Sequence, residues 1–183
     1  WDWKTTITGE GAVSADAVID LGDYHVIWGN RGVYEYRGGY SFRSISDKVF
    51  DKIFSTRQGE LNPNEKTKIF GVYVEDLDEA WFFYPVSGDT YPTRMARYSF
   101  ETEGWYFRDF NFSVSGYGFF SNDAGTTWLT ATGTWAGAAG PWVGTALQAG
   151  APTIHLCDAN NLVVYQADFL ANTNNGTAIS YEV

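Results

Sequence analysis

The chain has 183 residues, with 12 Lys and Arg against 22 Asp and Glu, for a net charge of −10. It is long enough for one large domain or two small ones and can bury roughly 70% of its unfolded surface, while its acidity repels polyphosphate and argues against specific nucleic-acid binding. Aromatic residues make up 18% and Gly occurs 20 times, without long runs of Ala, Leu, Glu and Lys, so strands and turns are favoured over helices.

Trp1, Trp3 and Thr5 alternate with Asp2 and Lys4, and residues 179–183 stop without a turn signal. The chain therefore reads as a segment of a longer one; the alternative is that its two end strands pair to close a ring. Residues 9–21 form a connector ending in one short strand, followed by a turn at Gly22-Asp23. Residues 24–46 predict a meander with strands at 24–28, 33–36 and 40–45. β-Branched and aromatic residues suit its pleated surface, and Gly-containing turns at 29–32 and 37–39 supply the positive φ that hairpins need. Ser46 is a candidate N-cap for one short helix over 47–54, with Asp47 suited to the positive end of the dipole. Its apolar stripe, Val49, Phe50, Ile53 and Phe54, is expected to pack on the sheet.

Residues 58–66, containing Asn62-Pro63-Asn64, read as a polar loop. A second meander follows with strands at 67–75, 80–84, 94–100 and 104–110, one four-stranded sheet of the size of a propeller blade. Beyond Phe112, strands are expected at 117–121, 127–132, 153–158, 162–167 and 178–183, with turns at 158–161 and 172–176. Asn175-Gly176 is a hairpin-turn pair, and the Gly- and Ala-rich stretch 133–152 reads as an irregular loop pinned by Trp135 and Trp142. Units at 24–46, 68–110 and 117–167 repeat at a period that suits propeller blades. The predicted fold is all-β: antiparallel meanders as β-propeller blades with one short helix. Residues 1–183 would be a single propeller module or a segment of a larger ring, because three units fall short of the roughly four to eight blades of a closed one.

Few residues suggest chemistry. Ser121, Asp123, Gly125, Thr127 and Trp128 fit S-x-D-x-G-x-T-W, which resembles the Asp-box hairpin of sialidase-like propellers. In such a hairpin the Asp123 carboxylate accepts backbone N–H bonds across the turn, Gly125 permits positive φ and Trp128 packs inward, a structural role. A sialidase also needs Arg clamps, a Tyr–Glu nucleophile pair and an acid/base carboxyl. Arg31, Arg37, Arg43, Arg57, Arg94, Arg97 and Arg108 supply the residue type but sit in no matching motif. His25 and His155 lie in apolar strands without metal-site spacing. Asp76, Asp78 and Glu79 are most simply a solvated turn, with a Ca2+ site as the alternative. The lone Cys157 cannot form an internal disulfide and reads as a small core residue. Trp105-Tyr106 and Tyr91-Pro92 could stack on a sugar or fill the wedge between blades. The triplets at Asn111 and Asn175 match the glycosylation acceptor pattern, a short match common by chance. No catalytic residue, cofactor or metal ligand is assigned, and no apolar span of about 18 residues predicts a membrane segment.

Two passages resemble the propeller-bearing tail proteins of short-tailed bacteriophages, of the tail nozzle, tail tubular or packaged-DNA stabilisation type. Residues 12–49 resemble their approach strand, G-V-Y hairpin, second Gly turn and I-S step into a short helix. Residues 72–109 resemble the following blade, through Glu79, Trp81, Phe82, Tyr84 and Pro85 answered by Gly104, Trp105 and Tyr106. Residues 161–183 resemble the passage that leaves the ring. The resemblance implies a non-enzymatic virion component, part of the genome-exit channel in the tail. Its partners would be copies of itself and portal-adaptor or fibre proteins. A glycan-binding or sialidase-like propeller and an extracellular protein-interaction propeller are the alternatives.

Overall fold

The computed structural model describes residues 10–120 and 153–167, together with the backbone pairing of 173–174 with 177–178. Three antiparallel sheets carry these residues. The first contains β1 (Val18–Asp20), β2 (His25–Trp28), β3 (Val33–Tyr36) and β4 (Arg43–Ser44), in chain order. A turn of 3-10 helix, Asp47–Val49, leads into α1 (Phe50–Ile53). The second sheet contains β5 (Phe70–Val74), β6 (Glu79–Tyr84), β7 (Arg94–Ser99) and β8 (Gly104–Asp109), again in chain order. The third contains β9 (Val114–Phe120), β10 (Thr153–Asp158) and β11 (Val164–Gln166). A short pair, β12 (Thr173–Asn174) and β13 (Thr177–Ala178), joins Asn174 to Thr177 in register across Asn175-Gly176, as the hairpin pattern predicts.

The sheets stack face to face because the middle one is apolar on both sides. Every residue of β6 is buried. Ala80, Phe82 and Tyr84 join Ile19, Val26, Trp28 and Val33 of the first sheet in one core. On the opposite face, Trp81 and Phe83 join Val114, Ile154 and Leu156 of the third sheet in another. In the outer sheets, β2, β3 and β10 alternate buried and half-buried residues, as strands covered on one face do. In β10, Ile154, Leu156 and Asp158 are buried while Thr153, His155 and Cys157 are only half-buried. Cys157 is therefore not the core residue its apolar surroundings predict, because strand periodicity turns it away from Leu156.

The all-β class with one short helix is what the sequence predicts. Among the described residues these sheets form a stack that closes no ring. Their boundaries differ from the predicted ones. The connector strand β1 belongs to the first sheet, so that unit starts before residue 24. The third sheet begins at Val114 rather than at 117. The strand expected at 40–45 shortens to Arg43–Ser44, since Gly38, Gly39 and Tyr40 form a projecting tip. Expected strand 127–132 and loop 133–152 lie outside the described residues.

Ser46 does not cap the helix. Its buried hydroxyl instead accepts the Val33 N–H at 2.8 Å, closing the end of the first sheet. The turn at 29–32 also works differently from expectation, since neither of its glycines has positive φ. They are required by close packing: a Cβ on Gly29 would lie 2.7 Å from the Tyr34 ring, and one on Gly32 would lie 2.9 Å from Ser46 Oγ. Of the predicted helical stripe, Ile53 is buried and Phe54 packs on Trp28, whereas Phe50 is exposed.

Candidate functional site

In each sheet the first strand lies at one edge, and the three edges meet. Asp16 and Val18, Phe70 and Gly71 of β5, and Ser115 and Tyr117 of β9 line a shared cavity of about 420 Å³. Gly71 allows β1 to approach β5, because a Cβ there would lie 2.8 Å from Ile19 Cγ1. Phe70 stacks on Tyr117 with ring centroids 5.8 Å apart. Burial, and then the Asp16 charge, raise the Tyr117 pKa above its ordinary value. Asp16 is the one charged lining residue. The cavity thus offers the Asp16 carboxylate, the Tyr117 phenol, the Ser115 hydroxyl and backbone groups of β5 and β9.

A second polar centre lies between the 58–62 loop and the middle sheet. Tyr84 donates its hydroxyl to Glu60 Oε1, and Arg94 bonds both Glu60 and Asp109. Glu60 reaches this position because its loop is sewn to the connection after β6: Leu61 pairs with Val86, and Ser87 N–H donates to the Glu60 carbonyl. The Tyr–Glu–Arg chemistry resembles in kind what a sialidase needs, but Tyr84 has 0% exposure and its hydroxyl is committed. Burial, then the Glu60 charge, push the Tyr84 pKa well above 10. For Arg94, burial opposes the charge while the Asp109 bond and Glu60 raise the pKa, and the net direction is upward. This arrangement keeps phenol and guanidinium in their usual protonation states. It is a latch, not a nucleophile.

The tyrosines have a measurable consequence at alkaline pH. Burial and Glu10 push Tyr34 up to about 12, and burial and the Asp78 bond do the same to Tyr73. In the unfolded chain these phenols lose their protons near 10, while the folded chain retains them. The unfolded state therefore binds fewer protons there, and stability is complete below that pH and falls as pH rises from 10 towards 12. Urea midpoints measured across that range should decline, and tyrosinate absorbance should show a group that titrates only on unfolding. That late group should vanish in Tyr84→Phe.

One end of the stack gathers several hairpin tips. Tyr24 meets Phe100 edge-on at 6.2 Å, and the Arg37 guanidinium lies 4.1 Å above the Tyr24 ring. Arg43 bridges to Glu103 at 2.7 Å, tying the first sheet to the β7–β8 turn. That bond, reinforced by the Arg43 charge, holds the Glu103 pKa below its ordinary value. Arg37 pairs with the buried Glu35, which also lies 3.9 Å from Arg43.

The remaining sequence candidates separate. Asp78 accepts the Tyr73 hydroxyl at 2.8 Å, while Glu79 is buried against Trp81 Nε1 and Arg97. Asp76, Asp78 and Glu79 thus do not converge, and no group of three His, Cys, Asp or Glu suited to a metal occurs among the described residues. His25 is half-exposed, 3.8 Å from Asp20, and His155 packs edge-on to Phe120 at 5.6 Å. Trp105 and Tyr91 are not free platforms: Trp105 Nε1 donates to the Ile45 carbonyl at 2.8 Å, and Lys68 lies over the Tyr91 ring. The Asp-box-like residues Ser121, Asp123, Gly125, Thr127 and Trp128 lie outside the described residues.

Sequence reasoning missed Glu60 as a partner of Tyr84 and Arg94. The only local hint is apolar Leu61 beside it in an otherwise polar loop. No protein-family model matches this chain, and no curated protein sequence matches it.

Proposed function

We propose that this chain is a non-enzymatic structural module of a virion tail, of the nozzle or tubular kind, built from propeller-type blades. The observation that supports the reading is strand order. Three sheets have their first strands, β1, β5 and β9, at an edge beside one cavity, and in each the later strands pair onward from that edge in chain order. That is how blades are laid around an axis. The residues of the phage-like passages serve as joints in this stack. Trp105 ties the second sheet to Ile45, Ser46 closes the first sheet, and Glu79 and Trp81 bond each other within the middle sheet. Trp105 thus joins two sheets, while the other two bonds fix the sheets they belong to, which suits a structural role. A net charge of −10 also suits a channel wall past which DNA slides without adhering.

Electron cryo-microscopy of the purified chain tests the reading. Multi-copy particles with meanders radiating from an axis are expected. A monomeric sandwich without radial sheets would overturn it, as would turnover of sialosides or oligosaccharides in a glycosidase assay.

A further inference from the structure

We propose that β9 is a docking edge for an extended peptide of a partner protein, which joins the third sheet as a further strand and sets an arginine beside Asp16. Among the described residues β9 pairs with β10 alone, so the backbone groups that alternate residues turn to its other side meet no strand. The strand is seven residues long, has neither charge nor proline, and exposes Ser115, Tyr117, Gly118, Phe119 and Phe120. The other sheet edges are short, charged or covered, the usual protections against a stray strand. β1 and β11 have three residues each and β4 has two, β8 ends in Arg108 and Asp109, and β1 closes on β5 at Gly71. A long edge without such protection is complementary to another extended backbone.

The side chains beside this edge define what that backbone carries. In the register with β10, Tyr117 lies opposite Leu156 and Phe119 opposite Ile154. Leu156 and Ile154 are buried, yet Tyr117 is 39% and Phe119 51% exposed. β9 therefore overhangs the covered part of its sheet and leaves two rings for the apolar side chains of a neighbouring strand. Tyr117 is held in place, because it ends a ring stack that runs from buried Phe83 through Phe70. Ser115 and Tyr117 also border the 420 Å³ cavity, in which Asp16 is the one charged lining residue. Asp16 is exposed and forms no ion pair among the described residues. Burial and then the Asp16 charge raise the Tyr117 pKa, as a carboxylate close to that phenol does. A guanidinium suits this place better than an ammonium, since its plane stacks on a tyrosine ring while its fork bonds a carboxylate. The occupant is an extended segment with β-branched or aromatic residues and one arginine.

Two capped seven-residue peptides of alternating threonine and valine, one with a central arginine and one with glutamate in its place, test the assignment against the full chain. Amide exchange followed by NMR should show edge-facing β9 amides that exchange freely in the chain alone and become protected by the arginine peptide. The glutamate peptide, which brings like charge to Asp16, should bind about tenfold more weakly. Asp16→Asn, a change at an exposed position that should keep the wild-type melting curve, should bring the two peptides within about twofold of each other. Edge amides already protected before peptide is added overturn the proposal, because the edge is then filled. Unchanged β9 exchange in the presence of the arginine peptide overturns it too, as does equal affinity of the two peptides for the wild type. Protection that rises with protein concentration instead of peptide also overturns it, by making a second copy the occupant.

Discussion

Trp28→Ala is expected to lower the unfolding free energy by about 3–5 kcal/mol, the largest loss from any single truncation in the first core. Trp28 has 0% exposure, and its ring lies 5.2 Å from Phe54, 5.2 Å from Phe82 and 5.3 Å from Tyr84. Those three rings belong to the segment after α1 and to the middle sheet, so the indole is where two sheets and the helix are packed together. Removing it leaves a cavity that rings held by separate elements cannot collapse to fill. For domains stable by about 5–15 kcal/mol, that loss removes a large share of the total. Denaturant titration measures it. Trp28→Phe should cost much less, because the indole N–H has no hydrogen-bond acceptor among the described residues and its loss removes a buried donor unmet there. An alanine variant as stable as the wild type would contradict the packing described here.

Glu60→Ala is expected to cost about 2–3 kcal/mol, less than the roughly 3–5 kcal/mol for breaking a fully buried pair. The Arg94 and Glu60 side chains remain 19% and 20% exposed, so water recovers part of the loss. The change strands the Tyr84 hydroxyl and leaves Arg94 with only the outer carboxylate of Asp109 for a partner in this latch. Asp109→Ala should cost less, since that side chain is 60% exposed. A double-mutant cycle between Glu60→Gln and Tyr84→Phe isolates the buried bond. The two changes should couple, with Tyr84→Phe less damaging when Glu60 has already lost its charge. Strict additivity would mean that the loop is held by Leu61 and the backbone alone.

Both predictions concern contacts that no local pattern discloses. The run from Glu79 to Tyr84 reads readily as a strand because five of its six residues are apolar. What it does not reveal is that alternate residues serve two different cores, since the same run would suit one core and a ligand face. Glu60 lies 24 positions from Tyr84 and 34 from Arg94, so its role depends on how the loop returns along Val86. Ser46 shows the same limit at shorter range. A serine before an acidic turn matches the capping pattern, yet tertiary pairing supplied a better partner in the Val33 N–H.

Gly29 and Gly32 illustrate a different ambiguity. Glycine in a hairpin signals either positive φ or missing volume, and only neighbouring atoms decide which. Here Tyr34 and Ser46 make it volume, whereas Gly38 and Gly39 have open space around them and adopt positive φ.

By itself, the sequence determined the all-β class, the single short helix, the order of the meanders and most strand positions. These follow from alternation, turn chemistry and residue shape within a few neighbours. Only the tertiary structure decided that the middle sheet is buried on both faces, that β1, β5 and β9 share a cavity, and that Tyr84 is locked to Glu60 while Tyr40 stands in solvent. Those outcomes depend on which distant segments meet. Two tyrosines identical in the sequence differ because one falls between packed sheets and the other on a glycine tip.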